Sequence, residues 1–298
     1  MSNNSMLYSL KVGAFVAKIV PRKIGINVSA SLGYLYGRYP GKTQKRLLKI
    51  HRRISPELSK SELKKRAAQV MASYASYWWD VFWLSSPRQK SDIGKLIEIE
   101  GQIYLDEVVK SSKQTGEGII LALPHMGSWE LGGAWLAALD YNPFVVVERL
   151  KPPELFELFT STRTKLGMNI IAHDDHPTSK LMAALNEGSL ICLVADRDIS
   201  KRGVVVDFFG AARRMPTGPA SLALKTGATI LPICMYSTFA GELDVVFYPP
   251  IKIPKITNKD QRTEVIQNTT QELSAVFENM ISRDPTQWHV LYDEWEQP

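Results

Sequence analysis

The sequence predicts an α/β fold: a central, mostly parallel sheet flanked by helices, with a basic amphipathic helical extension at the N-terminus. Three observations predict it. After Ile97, short apolar runs alternate with longer amphipathic ones. Positive charge is concentrated in the first 66 residues. A chain of 298 residues with 45% hydrophobic content can also bury one large core.

The extension comes first in the chain. Residues 1–66 hold fifteen Lys/Arg against Glu57 and Glu62, a balance of +13, so the net +6 of the chain leaves −7 for the remainder. Such a block is the footprint of an anionic surface, phospholipid or nucleic acid. The apolar stretch Val12–Ala17 is followed by Lys18 and is far shorter than the roughly 20 residues a spanning helix needs, so it can lie on a bilayer but not cross one. No signal-peptide pattern is expected there.

From Gly41 to Ile54, Lys42, Lys45, Arg46, Lys49, Arg52 and Arg53 recur at helical spacing beside a stripe of Leu47, Ile50 and Ile54. This basic amphipathic helix either lies on a membrane or packs its stripe on the domain. Lys60, Lys64, Lys65 and Arg66 lead into Tyr74, Tyr77, Trp78, Trp79, Phe82 and Trp83, rings that suit a lipid headgroup zone or the core beneath the helices. Residues 1–95 are therefore expected to form a membrane-associating extension and 96–298 the core, as one continuous domain.

In the core, strands are predicted at Ile119–Leu123, Phe144–Val147, Asn169–Ala172, Leu190–Ala195, Val204–Phe208, Thr229–Met235 and Leu243–Phe247. Helices are predicted at Trp129–Leu139, Glu154–Leu166, Ser179–Asn186, Gly218–Thr226 and Arg262–Ile281. Ligands collect where such strands end. Cys192 and Cys234 stand apart inside apolar runs, suggesting neither a disulfide framework nor a metal site and fitting a reducing, cytoplasmic compartment.

The chemistry centres on Pro124-His125-Met126-Gly127-Ser128-Trp129-Glu130, between a strand and a helix. On a regular helix His125 and Glu130 would lie about 140° apart. They meet only if His125 sits in the preceding turn, with Gly127 and Ser128 forming turn and cap. Glu130 would then orient the imidazole of His125, leaving its other nitrogen to take a proton. Spacing alone leaves open an ordinary loop histidine beside a capping glutamate.

His125, four residues and Glu130 at a strand-to-helix turn resemble the His-x4-Asp/Glu signature of the glycerolipid and lysophospholipid acyltransferase superfamily. The chain looks like its lipid A lauroyl and myristoyl acyltransferase branch, and most like the actinobacterial phosphatidylinositol mannoside acyltransferases. Supporting segments are Val194-Ala195-Asp196-Arg197-Asp198, Val206-Asp207-Phe208-Phe209-Gly210 and Met215-Pro216-Thr217-Gly218-Pro219-Ala220. Glu130 departs from the Asp expected in the mannoside enzymes.

The resemblance implies transfer of a long acyl chain from acyl-CoA or an acyl-carrier protein to a sugar hydroxyl of a membrane glycolipid, without metal, cofactor or acyl-enzyme. It implies His125 and Glu130 as the catalytic pair and Glu148 and Arg163 as substrate-binding positions, to which Asp196, Arg197 and Asp198 are added as residues of a strand end and Arg214 as one before a helix N-terminus that can hold a phosphate. A lipid A precursor or lysophospholipid is the alternative acceptor, and a non-catalytic membrane-binding protein the alternative class.

Rival chemistries find little support. No Gly-x-Ser-x-Gly elbow marks a hydrolase. His173-Asp174-Asp175-His176 reads as a surface turn rather than a metal site, and Arg213-Arg214 either as a solvated basic loop or as a phosphate contact at the helix N-terminus that follows. No nucleic-acid-binding motif accompanies the basic block. A monomer on the cytoplasmic face of the membrane, touching anionic lipid, is expected.

Overall fold

The computed structural model describes residues 12–85, 93–149, 152–238, 241–254, 256, 258–292 and 295. After a helical stretch at residues 12–17 come α1 (Arg22–Arg38), α2 (Lys42–Ile54) and α3 (Lys60–Leu84). The α3 helix starts at a capping box, in which Ser59 and Glu62 satisfy each other's backbone N–H groups. α1 lies close against α3, and the contact is made by glycines. A Cβ at Gly25 would fall 1.8 Å from the Trp79 ring, and one at Gly33 2.3 Å from the carbonyl oxygen of Met71. Arg22, at the start of α1, donates to the buried Asp80 of α3.

With its small residues turned inward, α1 presents Ile24, Val28, Leu32, Leu35 and Tyr36 to solvent, each more than half exposed. The next helix does the opposite. Leu47 and Ile50 of α2 are fully buried, and Leu47 packs with Ala67 and Val70 of α3, so its apolar stripe faces the protein. The aromatic run of α3 also turns inward: Tyr77, Trp79 and Trp83 are buried, Tyr74, Trp78 and Phe82 half-buried. Of the two settings that the sequence leaves open for these rings, lipid headgroups or the core beneath the helices, they occupy the core. The exposed apolar face belongs to α1, which periodicity did not single out.

The core then runs β1 (Ile97–Glu100), α4 (Gln102–Thr115), β2 (Ile119–Leu123), α5 (Trp129–Ala138), β3 (Phe144–Val147), α6 (Pro153–Leu166), β4 (Asn169–Ala172) and α7 (Pro177–Asn186). It continues with β5 (Leu190–Val194), β6 (Val204–Asp207), β7 (Ala212–Met215), α8 (Gly218–Thr226), β8 (Thr229–Ser237), β9 (Leu243–Phe247) and α9 (Arg262–Arg283). Among the described residues seven strands form one sheet in the order β1-β9-β8-β2-β5-β3-β4, parallel except for the β8–β9 pair. The α/β expectation holds.

β2 is buried along its whole length, as a central parallel strand covered on both faces must be. Ile120 and Ala122 point to the core layer under α7, α8 and α9, whereas Ile119, Leu121 and Leu123 point to the layer under α5. Val204–Phe208 was expected beside the other strands. It instead forms β6, which pairs antiparallel with β7 in a separate two-stranded sheet. β1, α4 and β7 are elements beyond those expected from the sequence. Among the described residues no helix is long and apolar enough to cross a membrane.

Candidate active site

The site is assembled by strand register. β2 and β5 pair in parallel with Leu123 opposite Val194, so His125 and Asp196, each two residues beyond, emerge side by side. The backbone N–H of Ala195 donates to Leu123 O at 2.9 Å and carries the pairing to the strand ends. Past that point the chain turns at Gly127, whose φ is +56° and whose Cβ would sit 2.2 Å from the Met235 carbonyl oxygen, so glycine is required. The segment after α9 straps this loop down: Gly127 N donates to Gln287 O at 3.1 Å, and His289 N to His125 O at 2.8 Å.

Nδ1 of His125 lies 2.5 Å from Oδ1 of Asp196. Oδ2 of the same carboxylate accepts the His125 backbone N–H at 3.0 Å and the Trp288 indole N–H at 2.7 Å. Asp196 is fully buried. Burial by itself would raise its carboxyl, but the facing charge of His125 and the three bonds outweigh that and hold it well below the usual carboxylate range. An anionic Asp196 requires the proton on Nδ1, so that in the neutral imidazole the lone pair is on Nε2. The ring edge meets Trp129 at 5.4 Å between centroids, and Trp129 is stacked on Tyr77 of α3 at 3.9 Å.

Glu130 does not orient His125. Both of its oxygens are taken by Arg163 of α6, Nε to Oε2 at 2.9 Å and Nη2 to Oε1. The physical reason is directional: in the first turn of α5, Glu130 projects toward α6, while β5 already places a carboxylate at Nδ1. Burial would lower the Arg163 guanidinium, but Glu130 holds it above its ordinary value. Ser128 occupies the N-cap position of α5 but makes no side-chain cap bond, contrary to expectation.

His125, Glu130, Glu148, Arg163, Arg197 and Asp198 all line one cleft of about 970 Å³, which runs from a polar rim that includes Arg202 and Lys225 into an apolar interior. Leu121, Gly133, Leu136, Val145, Met168 and Ile233 wall that interior. Asp198 is committed to its own turn, accepting from Ser200 N and Oγ and from Gly203 N. Arg214 lies outside the cleft wall and donates to Gly203 O at 2.8 Å. Arg213 is a correction. It is no solvated loop residue but a fully buried one on β7, with its guanidinium carbon 4.6 Å from the ring centroid of Trp295, 5.1 Å from that of Phe208 and 5.2 Å from that of Trp288. The polar turn at 173–176 is a surface feature, as expected: Asp174 pairs with Arg149 and Asp175 with Lys180.

The chain matches the family model of the bacterial lipid A biosynthesis acyltransferases over residues 5–297. It belongs to that family. This acyltransferase is 37% identical over 230 residues to a phosphatidylinositol mannoside acyltransferase of Mycolicibacterium smegmatis, covering 76% of its own chain and 70% of that protein. It is 34% identical over 230 residues to the phosphatidylinositol mannoside acyltransferase of Mycobacterium tuberculosis, covering 76% and 68%. A crystal structure of the 1-acyl-sn-glycerophosphate (LPA) acyltransferase PlsC from Thermotoga maritima covers 85% of this acyltransferase and 96% of that chain. At 12% identity and a TM-score of 0.35, that likeness is too distant to carry an argument.

The sequence offers Asp196 as a strand-end contact and Glu130 as the partner of the imidazole, and it singles out neither Trp288 nor His289. Trp288 reaches Asp196 across 92 residues. No local spacing signals such a contact.

Proposed function

We propose that this acyltransferase moves a long-chain fatty acyl group from acyl-CoA to a sugar hydroxyl of a phosphatidylinositol mannoside, with His125 as general base and Asp196 as its orienter. The observation that carries this reading is the His125–Asp196 pair on the wall of a cleft that is apolar within and basic at the rim. Nε2 of His125 takes the proton of the acceptor hydroxyl as its oxygen attacks the thioester carbonyl. The tetrahedral intermediate then collapses, and the leaving thiolate takes the proton back from the imidazolium, whose charge Asp196 balances. No cofactor enters this sequence.

The apolar interior suits an acyl chain. Arg197, Arg202 and Lys225 suit the phosphates of a coenzyme A thioester. The mannoside acceptor is favoured by the two mycobacterial relatives, phosphatidylinositol mannoside acyltransferases that share a third or more of the aligned residues. Membrane attachment is supported by the exposed apolar face of α1 and the exposed Lys42, Lys45 and Arg52 of α2, a pairing that suits an anionic lipid surface.

The test offers palmitoyl-CoA with either a phosphatidylinositol mannoside or a lipid A precursor to wild type and His125→Ala. Product on the mannoside that disappears in the variant is expected. Product on the lipid A precursor alone would move the acceptor to the other branch. Transfer undiminished in folded His125→Ala would sink the general-base assignment.

A further inference from the structure

We infer that Trp288 is a positioning residue that sets the orientation and basicity of His125 by holding the carboxylate of Asp196 through its indole N–H, and that Arg213 keeps this indole in place. The inference rests on His125 being the general base, as proposed above.

Trp288 is fully buried and could be plain core filling. Its N–H argues otherwise. A buried indole needs only some acceptor, and neighbouring Trp295 finds an ordinary one, the Phe208 carbonyl, at 3.0 Å. Trp288 instead spends its single donor on Oδ2 of the carboxylate that serves His125, at 2.7 Å.

That choice has an electrostatic consequence. Oδ2 accepts from both Trp288 and the His125 backbone, while Oδ1 is the oxygen at Nδ1. Two donors on one oxygen draw the charge of the anion away from the imidazole. Asp196 can then fix the tautomer with the proton on Nδ1, which makes Nε2 the nitrogen that serves as a base.

Arg213 ties the arrangement together. Its guanidinium faces the rings of Phe208, Trp288 and Trp295, while Nη2 donates to the backbone carbonyl of Asp196 at 2.9 Å. One buried cation therefore holds the indole and the backbone of the residue the indole serves. The other ionisable groups near His125 have their own commitments. His289 follows Trp288 and bonds Ser73 through Nε2, Glu130 is paired with Arg163, Asp198 caps its turn, and Arg197 faces Tyr292. Trp288 is the side chain that completes the carboxylate's bonding.

The test is the titration of His125, followed by histidine-selective NMR of the full chain, in wild type, Trp288→Phe and Trp295→Phe. Trp288→Phe keeps a ring in the core but removes the donor, so the His125 midpoint should rise by about one unit. The acid limb of kcat/KM should follow it, with kcat down about tenfold and KM unchanged. Trp295→Phe disturbs the same aromatic cluster without touching the carboxylate and should leave the midpoint in place.

In wild-type protein the Trp288 indole N–H signal should move with the His125 midpoint, a measurement that needs no variant to fold. An unmoved His125 midpoint in Trp288→Phe, an equal shift in both variants, or an indole signal indifferent to His125 would each overturn the inference. Because the titration is read without substrate, these outcomes are independent of whether the acceptor is a mannoside. Absence of any His125-dependent transfer in wild type would instead count against the proposed function.

Discussion

Asp196 and His125 stand 71 residues apart in sequence and 2.5 Å apart in the fold, because β2 and β5 run parallel and in register up to Leu123 and Val194. That contact separates two carboxylates which sequence alone could have exchanged.

Asp196→Asn and Glu130→Gln should therefore fail differently. An amide at 196 cannot serve as the anion for Nδ1–H, so transfer should fall by about 10²–10⁴-fold. Glu130→Gln leaves the Arg163 guanidinium, mostly buried, without its charge partner, and should cost about 2–3 kcal/mol of stability. The His125 titration should stay near its wild-type position in that variant. Urea unfolding, single-turnover rates and the His125 midpoint in both variants check this, and an activity loss in Glu130→Gln with full stability would restore Glu130 as the orienter.

Gly133 lines the cleft from α5, and a Cβ there would meet the Met168 sulfur at 3.3 Å. A larger side chain would therefore occupy the apolar interior. Gly133→Leu should shift the preferred donor toward shorter acyl chains, with the ratio of decanoyl to palmitoyl transfer rising about tenfold or more, the penalty typical of one or two methylenes denied their space. An unchanged ratio in folded protein would place the acyl chain elsewhere.

His51 and His289 are buried with their imidazoles held at about 3, against an ordinary 6.5. Burial is the main cause in both. The facing charge of Arg66 adds to it at His51, and that of His125 at His289, where Asp196 opposes it. As pH falls below 6.5 the unfolded chain takes up these protons first, so stability is complete above 6.5 and is lost toward 3. Each imidazole should contribute a slope of about 1.4 kcal/mol per pH unit. The depressed carboxyl of Asp196 adds its own loss only below about pH 4. Urea titrations at pH 6, 5.5 and 5 should give a slope approaching twice the single-site value, halved in His51→Leu. A flat profile over that range would mean that these rings are not held neutral.

The outward face of α1 offers a direct membrane test. Leu32→Glu with Leu35→Glu changes two residues that are 63% and 65% exposed, so folding should be unaffected. Retention on vesicles containing phosphatidylglycerol should drop by an order of magnitude or more, since two apolar anchors become like charges to the lipid. Retention equal to wild type would move the membrane contact off α1.

Much of the architecture was legible in local pattern. Period-2 and continuous apolar runs fixed β2, β3, β4 and β9 to the residue, because strand burial depends on neighbours one or two positions away. His125 was legible for a similar reason: a histidine between a buried strand and a helix, next to a glycine, is a local signature. What failed were the inferences that needed a partner. The stripe of α2 and the rings of α3 have the same composition whether they meet lipid or core, and only packing against α1 and the sheet decided for the core. The exposed face of α1 was hidden by its glycines, whose meaning emerges when Trp79 and Met71 press against them.

By itself, then, the sequence determined the α/β class, the basic extension and a histidine at a strand end, all properties of segments a few residues long. Tertiary structure decided which carboxylate serves that histidine, which helix faces outward, and that Arg213 and Trp288 stand behind the site. Hydrogen bonds and buried charges form between whatever the fold brings within about 3 Å, and sequence distance places no constraint on that.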